Sequence, residues 1–335
     1  TGTLTLDGTN SYTGGTTLNA GTTVGDSASL QGAIVDNAAL VFNQTTDGVF
    51  TGSITGTGSV TKDGAGDLRL NGANAYTGGT TITAGTLIGD TTSLQGNILD
   101  NAALVFDQAG GGVYAGVISG TGSVEKTGAG ALVLTGANSY TGGTLVSAGS
   151  LIGNTTSLQG NVVDNATLVF DQATDGTFAG AISGTGNVVK QGDGVLTLSG
   201  SNSYSGGTTI ADGTLQGTTS SLQGNIVDNA VLVFDQAGDG TFAGNITGSG
   251  TLIKNGTGAV TLDGVNSYLG GTTINAGTLI GDTDSLQGNI LNNAALVFLQ
   301  DANGTYAGTL SGTGTLVKDG TGTLLVTANS GGFTG

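Results

Sequence analysis

The sequence predicts an all-β protein, a parallel β-helix (solenoid) with about three coils in each repeat of 64 residues. Three observations support this prediction: a strict internal repeat, short β-like segments separated by Gly, Asn, Asp and Ser, and the lack of a sustained helical apolar stripe. Proline is absent from the 335 residues, whereas Gly occurs 67 times. Since proline removes a ladder donor and glycine accepts the positive φ of sharp corners, this composition favours coils that pair above and below.

The repeat is recognised from residues that recur in register. The tripeptide Leu-Gln-Gly begins at Leu30, Leu94, Leu158, Leu222 and Leu286, always 64 residues apart. The chain holds slightly more than five repeats and begins and ends within a repeat. We therefore expect residues 1–335 to form one continuous solenoid, a fragment of a longer array without caps.

Other architectures fit the repeat less well. A β-sandwich domain needs longer strands and about 100 residues, and propeller blades also have longer strands. Coils of about 21 residues, each with up to three short strands, would place three coils in one repeat, with neighbouring coils about 4.8 Å apart.

The composition excludes several classes of function. Without His or Cys, the usual ligand sets for zinc, copper, haem and iron–sulfur clusters are missing, as is His- or Cys-dependent nucleophilic chemistry. The formal net charge of −17 would repel a nucleic-acid backbone, so we expect no nucleic-acid partner.

Four sets of residues are predicted to form structural ladders along the solenoid, with Phe facing inward, Asn satisfying corner amides and Tyr rings piling on one another. These are Asn74, Asn138, Asn202 and Asn266; Tyr76, Tyr140, Tyr204 and Tyr268; Phe42, Phe106, Phe170, Phe234 and Phe298; and Asn37, Asn101, Asn165, Asn229 and Asn293. Exposed Tyr rows also bind sugars, which leaves a carbohydrate-binding face open.

Charged residues recur at the same spacing. Lysines at 62, 126, 190, 254 and 318 could form a basic stripe for an anionic polysaccharide, but we favour corner lysines that keep strand ends soluble beside Asp. Asp36, Asp100, Asp164 and Asp228 form an acidic set that suggests calcium or glycan cleavage. Because no repeat contains a unique cluster, we predict no catalytic, cofactor-binding or metal-binding residues and a non-enzymatic protein.

The segment from Lys62 to Leu87 reads KDGAGDLRLNGANAYTGGTTITAGTL, and it returns in the next three repeats. It resembles the autotransporter passenger-associated strand repeat, in which Lys, Gly, Leu, Asn, Tyr and Thr recur at fixed positions. The resemblance implies a right-handed β-helical stalk outside a Gram-negative cell. In the full-length protein, it implies anchoring in the outer membrane through a C-terminal barrel that this sequence does not include.

We therefore expect a structural or adhesive stalk segment, a rigid extracellular spacer that mediates adhesion or self-association. The expected partners are further copies of the chain, joined end to end or side by side, or glycans of a cell surface. Two alternatives stay open: a carbohydrate-binding face on the solenoid, and a β-helix enzyme that degrades polysaccharide.

Overall fold

The computed structural model describes residues 2–335 and confirms the predicted fold class, since its ladders are parallel and its turns stack as in a β-solenoid. Within these residues no helix has the length and apolar character needed to cross a membrane. The chain forms two compact units, the first ending at Thr167 and the second comprising Leu168–Gly335. Each unit is a parallel solenoid.

The strands of the first unit are β1 (Thr3–Thr5), β2 (Thr16–Leu18), β3 (Thr22–Gly25), β4 (Ile34–Asp36), β5 (Ala39–Asn43), β6 (Gly48–Phe50), β7 (Ile54–Gly56), β8 (Ser59–Asp63), β9 (Asp67–Leu70), β10 (Ala75–Tyr76), β11 (Thr80–Ile82), β12 (Thr86–Gly89), β13 (Ile98–Asp100), β14 (Ala103–Asp107), β15 (Gly112–Tyr114), β16 (Ile118–Ser119), β17 (Ser123–Thr127), β18 (Ala131–Leu134), β19 (Thr144–Val146), β20 (Ser150–Gly153) and β21 (Val162–Asp164).

The remaining strands, of which the first begins at Thr167, are β22 (Thr167–Asp171), β23 (Gly176–Phe178), β24 (Ile182–Ser183), β25 (Asn187–Gln191), β26 (Val195–Leu198), β27 (Thr208–Ile210), β28 (Thr214–Gly217), β29 (Ile226–Asp228), β30 (Val231–Asp235), β31 (Gly240–Phe242), β32 (Ile246–Gly248), β33 (Thr251–Asn255), β34 (Ala259–Leu262), β35 (Ser267–Tyr268), β36 (Thr272–Ile274), β37 (Thr278–Gly281), β38 (Ile290–Asn292), β39 (Ala295–Leu299), β40 (Gly304–Tyr306), β41 (Leu310–Gly312), β42 (Thr315–Asp319), β43 (Leu324–Val326) and β44 (Gly332–Phe333).

A turn of the solenoid has three sides and is slightly shorter than predicted. In the first unit, β5 lies between β3 and β8 in one sheet, and the register pairs Thr22 with Ala39 and Ala39 with Ser59. Between β5 and β8 come β6 and β7, which belong to two other sheets. In a neighbouring sheet, the register pairs Leu68 with Leu87 and Leu87 with Leu104, which are steps of 19 and 17 residues. Every one of these steps is shorter than the expected coil.

Equivalent strands of successive repeats lie on different sides of the solenoid. One repeat after β5 comes β14, and β14 belongs to the sheet that contains β6. The second unit repeats this relation, since β30 and its equivalent β39 are in different sheets, and β39 shares the sheet of β31. The physical reason is that three turns of this length use fewer residues than one repeat contains. The residues of the repeat that are left over after three turns form about one further side, so the equivalent strand of the next repeat lies on that side.

The core is a stack of aliphatic side chains from alternate strand positions. Leu68 pairs with Leu87, Leu87 with Leu104, and Leu104 with Val124, and all four are fully buried. Burying each such side chain stabilises the fold by about 1.5–3 kcal/mol. Because every turn is covered by its neighbours, the short strands gain a core that no single turn could supply.

The Leu-Gln-Gly segments close one side of a turn where no strand forms. Between β12 and β13, Asp90 accepts hydrogen bonds from the N–H groups of Thr92 (2.8 Å) and Ser93 (2.9 Å). The N–H of Leu94 donates to the Asp90 carbonyl at 2.9 Å, and the Leu94 side chain is buried. The carboxylate thus shapes a compact turn that returns an apolar side chain to the core.

Glycine is required where the backbone of one turn rests on the corner of the next. A Cβ added to Gly116 would overlap the carbonyl oxygen of Gly96, one turn below. In the same repeat, a Cβ on Gly111 would meet no atom within 4 Å. The abundance of glycine is therefore partly a packing requirement and partly loop composition.

We predict that Gly116→Ala lowers the free energy of unfolding by about 1–3 kcal/mol, because the new methyl group must displace the backbone of the neighbouring turn. The matched variant Gly111→Ala changes it by no more than about 0.5 kcal/mol. Urea denaturation of both variants checks the prediction, and equal effects would contradict the packing explanation.

Candidate functional site: polar groups that join successive turns

The corner after β8 contains a buried lysine. The side chain of Lys62 is fully buried, and its Nζ donates to the carbonyl oxygens of Asp63 (3.0 Å), Gly64 (2.7 Å) and Ala84 (2.9 Å). An ammonium group has three donors, so this arrangement uses all of them. Since Ala84 lies one turn above, the lysine joins two turns. We call this group of residues, with Gly85, the lysine corner.

Three further lysines repeat the arrangement. Lys126 donates to the carbonyls of Thr127 (2.6 Å), Gly128 (2.8 Å) and Ala148 (3.1 Å). Lys190 and Lys254 each bind the corresponding three carbonyls and are also fully buried. In contrast, Lys318 is exposed and binds the carbonyl of Gly320.

The sequence motif from Lys62 to Leu87 encodes this corner. Gly64 has a φ of 79°, which turns its carbonyl toward the ammonium. Gly85 has a φ of 65°, and a Cβ there would lie 2.7 Å from Nζ of Lys62 and 2.6 Å from the Gly64 carbonyl oxygen. Lysine and these two glycines therefore depend on one another.

The lysines lie at corners, as the favoured interpretation expected, but both interpretations were wrong about their exposure to solvent. Four of the five form neither an exposed basic stripe nor a solvated corner, because their ammonium groups point into the backbone. Burial lowers the pKa of Lys62, Lys126, Lys190 and Lys254, while nearby Asp carboxylates oppose that change. Hydrogen bonds to three backbone carbonyls replace water around each ammonium group.

The buried asparagines connect three successive turns. Asn74 accepts a hydrogen bond from the N–H of Ile54 at 2.8 Å and donates to the carbonyl of Ser93 at 2.7 Å. Ile54 lies one turn below Asn74, and Ser93 lies one turn above it. The same pair of bonds recurs at Asn138, Asn202 and Asn266.

The second asparagine set lies at exposed corners. The N–H of Asn37 donates to the carbonyl of Leu18 at 2.9 Å, and its Oδ1 accepts from the N–H of Thr57 at 3.3 Å. Asn101 and Asn229 accept similar bonds from the following turn. The backbone N–H groups of Asn165 and Asn293 donate to the turn below, to Val146 and Ile274.

The tyrosines are buried, which removes the exposed row that would have bound sugars. The hydroxyl of Tyr76 lies 2.7 Å from Oγ1 of Thr80, and burial raises the pKa of the phenol. Tyr140, Tyr204 and Tyr268 make the same contact with Thr144, Thr208 and Thr272.

The phenylalanines are fully buried and contact a second ring from the same turn. The Phe42 and Phe50 rings meet at 5.2 Å, and Phe106 meets the Tyr114 ring at 5.0 Å in an edge contact. Phe170, Phe234 and Phe298 have the equivalent partners Phe178, Phe242 and Tyr306.

The sequence analysis expected members of these sets to stack directly on one another. In the structure they do not. The strand partner of Phe42 is Lys62, because the next Phe lies three turns and one side away. Each predicted ladder is therefore a set of residues that make the same contact in every repeat, and its members do not touch one another.

Sequence reasoning missed a buried glutamine that joins turns. Oε1 of Gln108 accepts from the N–H of Thr91 at 3.0 Å, and Gln44 accepts from the N–H of Ser27 at 3.0 Å. The side chains of Gln44, Gln108, Gln172, Gln236 and Gln300 are all buried. Their recurrence shortly after Phe in every repeat was the available signal.

The acidic residues are not assembled into a metal site. In residues 2–335, no three Asp or Glu side chains are grouped so that they could hold an ion. Asp36, Asp100, Asp164 and Asp228 are buried one by one, whereas Asp107 is partly exposed and pairs with Arg69 at 2.7 Å. The lysine corner and asparagine bridges therefore define a structural repeat whose polar groups bind its own backbone.

Comparison with known proteins identifies this repeat. Residues 1–24, 60–88, 124–152, 188–216 and 252–280 match the family described as Passenger-associated-transport-repeat. The last four segments each contain a complete lysine corner. These five segments are similar to passenger-associated transport repeats, which confirms the resemblance stated from the sequence.

Two curated proteins are similar over part of the chain. The "Adhesin BmaC autotransporter" of Brucella suis biovar 1 (strain 1330) is 37% identical over 194 residues, 49% of this chain and 6% of that protein. The "16S rRNA endonuclease CdiA" of Enterobacter cloacae subsp. cloacae is 32% identical over 133 residues, 39% of this chain and 4% of that protein. No solved structure matches. The chain therefore spans a small part of its relatives' length, and the passenger repeat indicates secretion to a Gram-negative cell surface.

We predict that Lys126→Met lowers the free energy of unfolding by about 3 kcal/mol or more, since three buried carbonyls lose their donor while the volume is kept. The matched variant Lys318→Met removes an exposed ammonium and should change it by no more than about 0.5 kcal/mol. Chemical denaturation measures both, and a Lys126 variant as stable as the parent would contradict the proposed role of the corner.

Proposed function

We propose that the chain is a stalk segment of an autotransporter-like adhesin, a rigid extracellular spacer with no enzymatic activity. The observation that supports it best is that polar side chains recurring in every repeat are used to bind neighbouring turns. Lysine, asparagine and glutamine side chains that could serve a ligand are instead buried against backbone. In this proposal the full-length protein is anchored in the outer membrane.

The spacer proposal also requires that the repeats continue as one solenoid. Each repeat would then add three turns and one side, which is about 16 Å at about 4.8 Å per turn. Length would be set by the number of repeats, and stability would come from contacts between neighbouring turns. An endonuclease activity, which the name of one relative states, is not carried over, because the match covers 4% of that protein.

We predict that deleting residues 65–128, which restores the phase of the repeat, shortens the particle by about 16 Å with its β-structure retained. Small-angle scattering measures the maximum dimension, and circular dichroism checks the fold. A control deletion of residues 65–96 removes half a repeat, joins unlike sides and should destabilise the solenoid. An unchanged dimension after the first deletion would contradict the spacer proposal.

We further propose that the partner of the stalk segment is a second copy of the chain. In every repeat, the strand that follows the Leu-Gln-Gly segment has an aliphatic residue at its centre that faces outward, with 40–43% of its surface exposed. The five are Val35, Leu99, Val163, Val227 and Leu291. Their strands belong to different sheets, so they offer one apolar contact point per repeat rather than a single apolar face. With a net charge of −17, copies repel one another in dilute buffer, and salt screens that repulsion. The buried tyrosines favour this partner over a glycan.

We predict that sedimentation velocity shows association that increases with salt, and that changing all five aliphatic residues to Ser abolishes it. The outward position of these side chains should leave the fold of the Ser variant intact. The same protein on a glycan array tests the other partner. Binding to glycans by a chain that stays monomeric at high salt would overturn the self-association proposal.

A further inference from the structure

Three buried aspartates each have one carboxyl oxygen without a hydrogen-bond partner. Oδ1 of Asp36, Asp100 and Asp228 accepts from the N–H two residues later, at 2.9, 3.0 and 3.1 Å. Their Oδ2 atoms are buried and accept no hydrogen bond. A buried carboxylate oxygen in this position would be costly if charged.

The next turn closes over each carboxyl. Gly58, Gly122 and Gly250 lie so close that a Cβ on any of them would overlap the Asp carboxyl group. Each of these glycines also donates its N–H to the carbonyl of the same aspartate, at 2.7 or 2.8 Å. The carboxyl is therefore held between two turns and shielded from solvent.

The fifth repeat shows which partner faces the second oxygen. There the equivalent residue is Asn292, whose Oδ1 accepts from the N–H of Ala294 at 3.1 Å, as the aspartates do. Its Nδ2 donates to the carbonyl of Thr315 at 2.8 Å. By equivalence, the position of Oδ2 in Asp36, Asp100 and Asp228 faces a carbonyl acceptor and requires a donor.

We propose that Asp36, Asp100 and Asp228 carry a proton on Oδ2 in the folded chain and donate it to the carbonyls of Ser59, Ser123 and Thr251. These three residues occupy the position of Thr315 in their own repeats. The carboxyls then act as acid-dependent fasteners between turns: the hydrogen bond forms when the group is neutral and is lost when it ionises.

Other charges near these carboxyls do not supply the missing partner. The strands packed around Asp100 carry Asp107, Glu125 and Lys126, and the Lys126 ammonium is held by three carbonyls. Around Asp36 the ionisable groups are Lys62 and Asp63, and Lys62 is likewise held by carbonyls.

The strands around Asp228 repeat this pattern. They carry Asp235, which is exposed, and Lys254, whose ammonium donates to three carbonyls. The strands paired from below, β2, β11 and β27, contain no ionisable side chain.

The direction of the pKa changes agrees with this geometry. Burial raises the pKa of Asp100 and Asp228 to about 6 from the ordinary 3.8, and raises that of Asp36, with the Ala38, Ala102 and Ala230 N–H groups opposing it. Because the folded chain binds these protons more tightly than the unfolded chain, the stabilisation is complete below about pH 4. It is lost as the pH rises through 6.

We predict that the urea midpoint of the protein falls between pH 5 and pH 8, with the unfolding equilibrium constant rising about tenfold for each carboxyl of pKa about 6. A variant with Asn at 36, 100 and 228 should show a flatter pH profile and a higher midpoint at pH 8. The natural Asn292 indicates that the repeat accepts this change.

The control variant has Asn at three exposed aspartates, 171, 235 and 263, and removes the same number of carboxyl groups from the surface. It should keep the steeper profile of the parent. Carbon-13 NMR of the Asp carboxyls in the parent gives a direct readout, with protonated groups expected at pH 5. Fully ionised carboxyls at pH 5, or equal profiles for the two variants, would overturn the proposal.

Discussion

The parallel stacking of turns about 4.8 Å apart is the constraint on which the rest of the structure depends. At that spacing, corner carbonyls are buried by the next turn and lose contact with water, so each needs a donor from within the chain. Gly116 and other glycines without room for a Cβ allow the backbones of two turns to approach this closely. The Lys62 ammonium supplies donors to the buried carbonyls. Asn74 serves both neighbouring turns at once, donating to one and accepting from the other.

The period, the short strands and the parallel solenoid were predictable, because glycine corners and alternating apolar residues are local properties of sequence. The rotation of equivalent strands to a new side was not, since it depends on the exact length of each turn, which only the strand register reveals. Burial of Lys62 could also not be predicted from the sequence. Lysine usually extends into solvent, and the three carbonyls that hold it come from two different turns. The joint recurrence of Lys62, Gly64 and Gly85 was the relevant signal.

Burial of the lysines also changes how the composition relates to the surface. The chain has six basic residues, of which four are enclosed in lysine corners. Of the other two, Arg69 pairs with Asp107 and Lys318 is exposed. The solvent-facing charge is therefore almost entirely acidic, and it is not offset locally by the lysines that recur beside it in the sequence. Contacts between such surfaces depend on ionic screening.

The buried lysines and the buried aspartates both lie next to backbone carbonyl oxygens, but a lysine is a hydrogen-bond donor and a carboxylate is only an acceptor. A corner lined by carbonyl oxygens supplies acceptors, so an ammonium keeps its charge there because all three donors are used. At the aspartates, Oδ1 accepts a backbone N–H, but Oδ2 meets no donor and must gain a proton to form a hydrogen bond with a facing carbonyl. In the fifth repeat, the uncharged side chain of Asn292 supplies the donor through its amide, in place of a protonated carboxyl. Backbone polarity at the corners thus determines which side chains remain charged, and it makes the acidic position, rather than the basic one, responsive to pH.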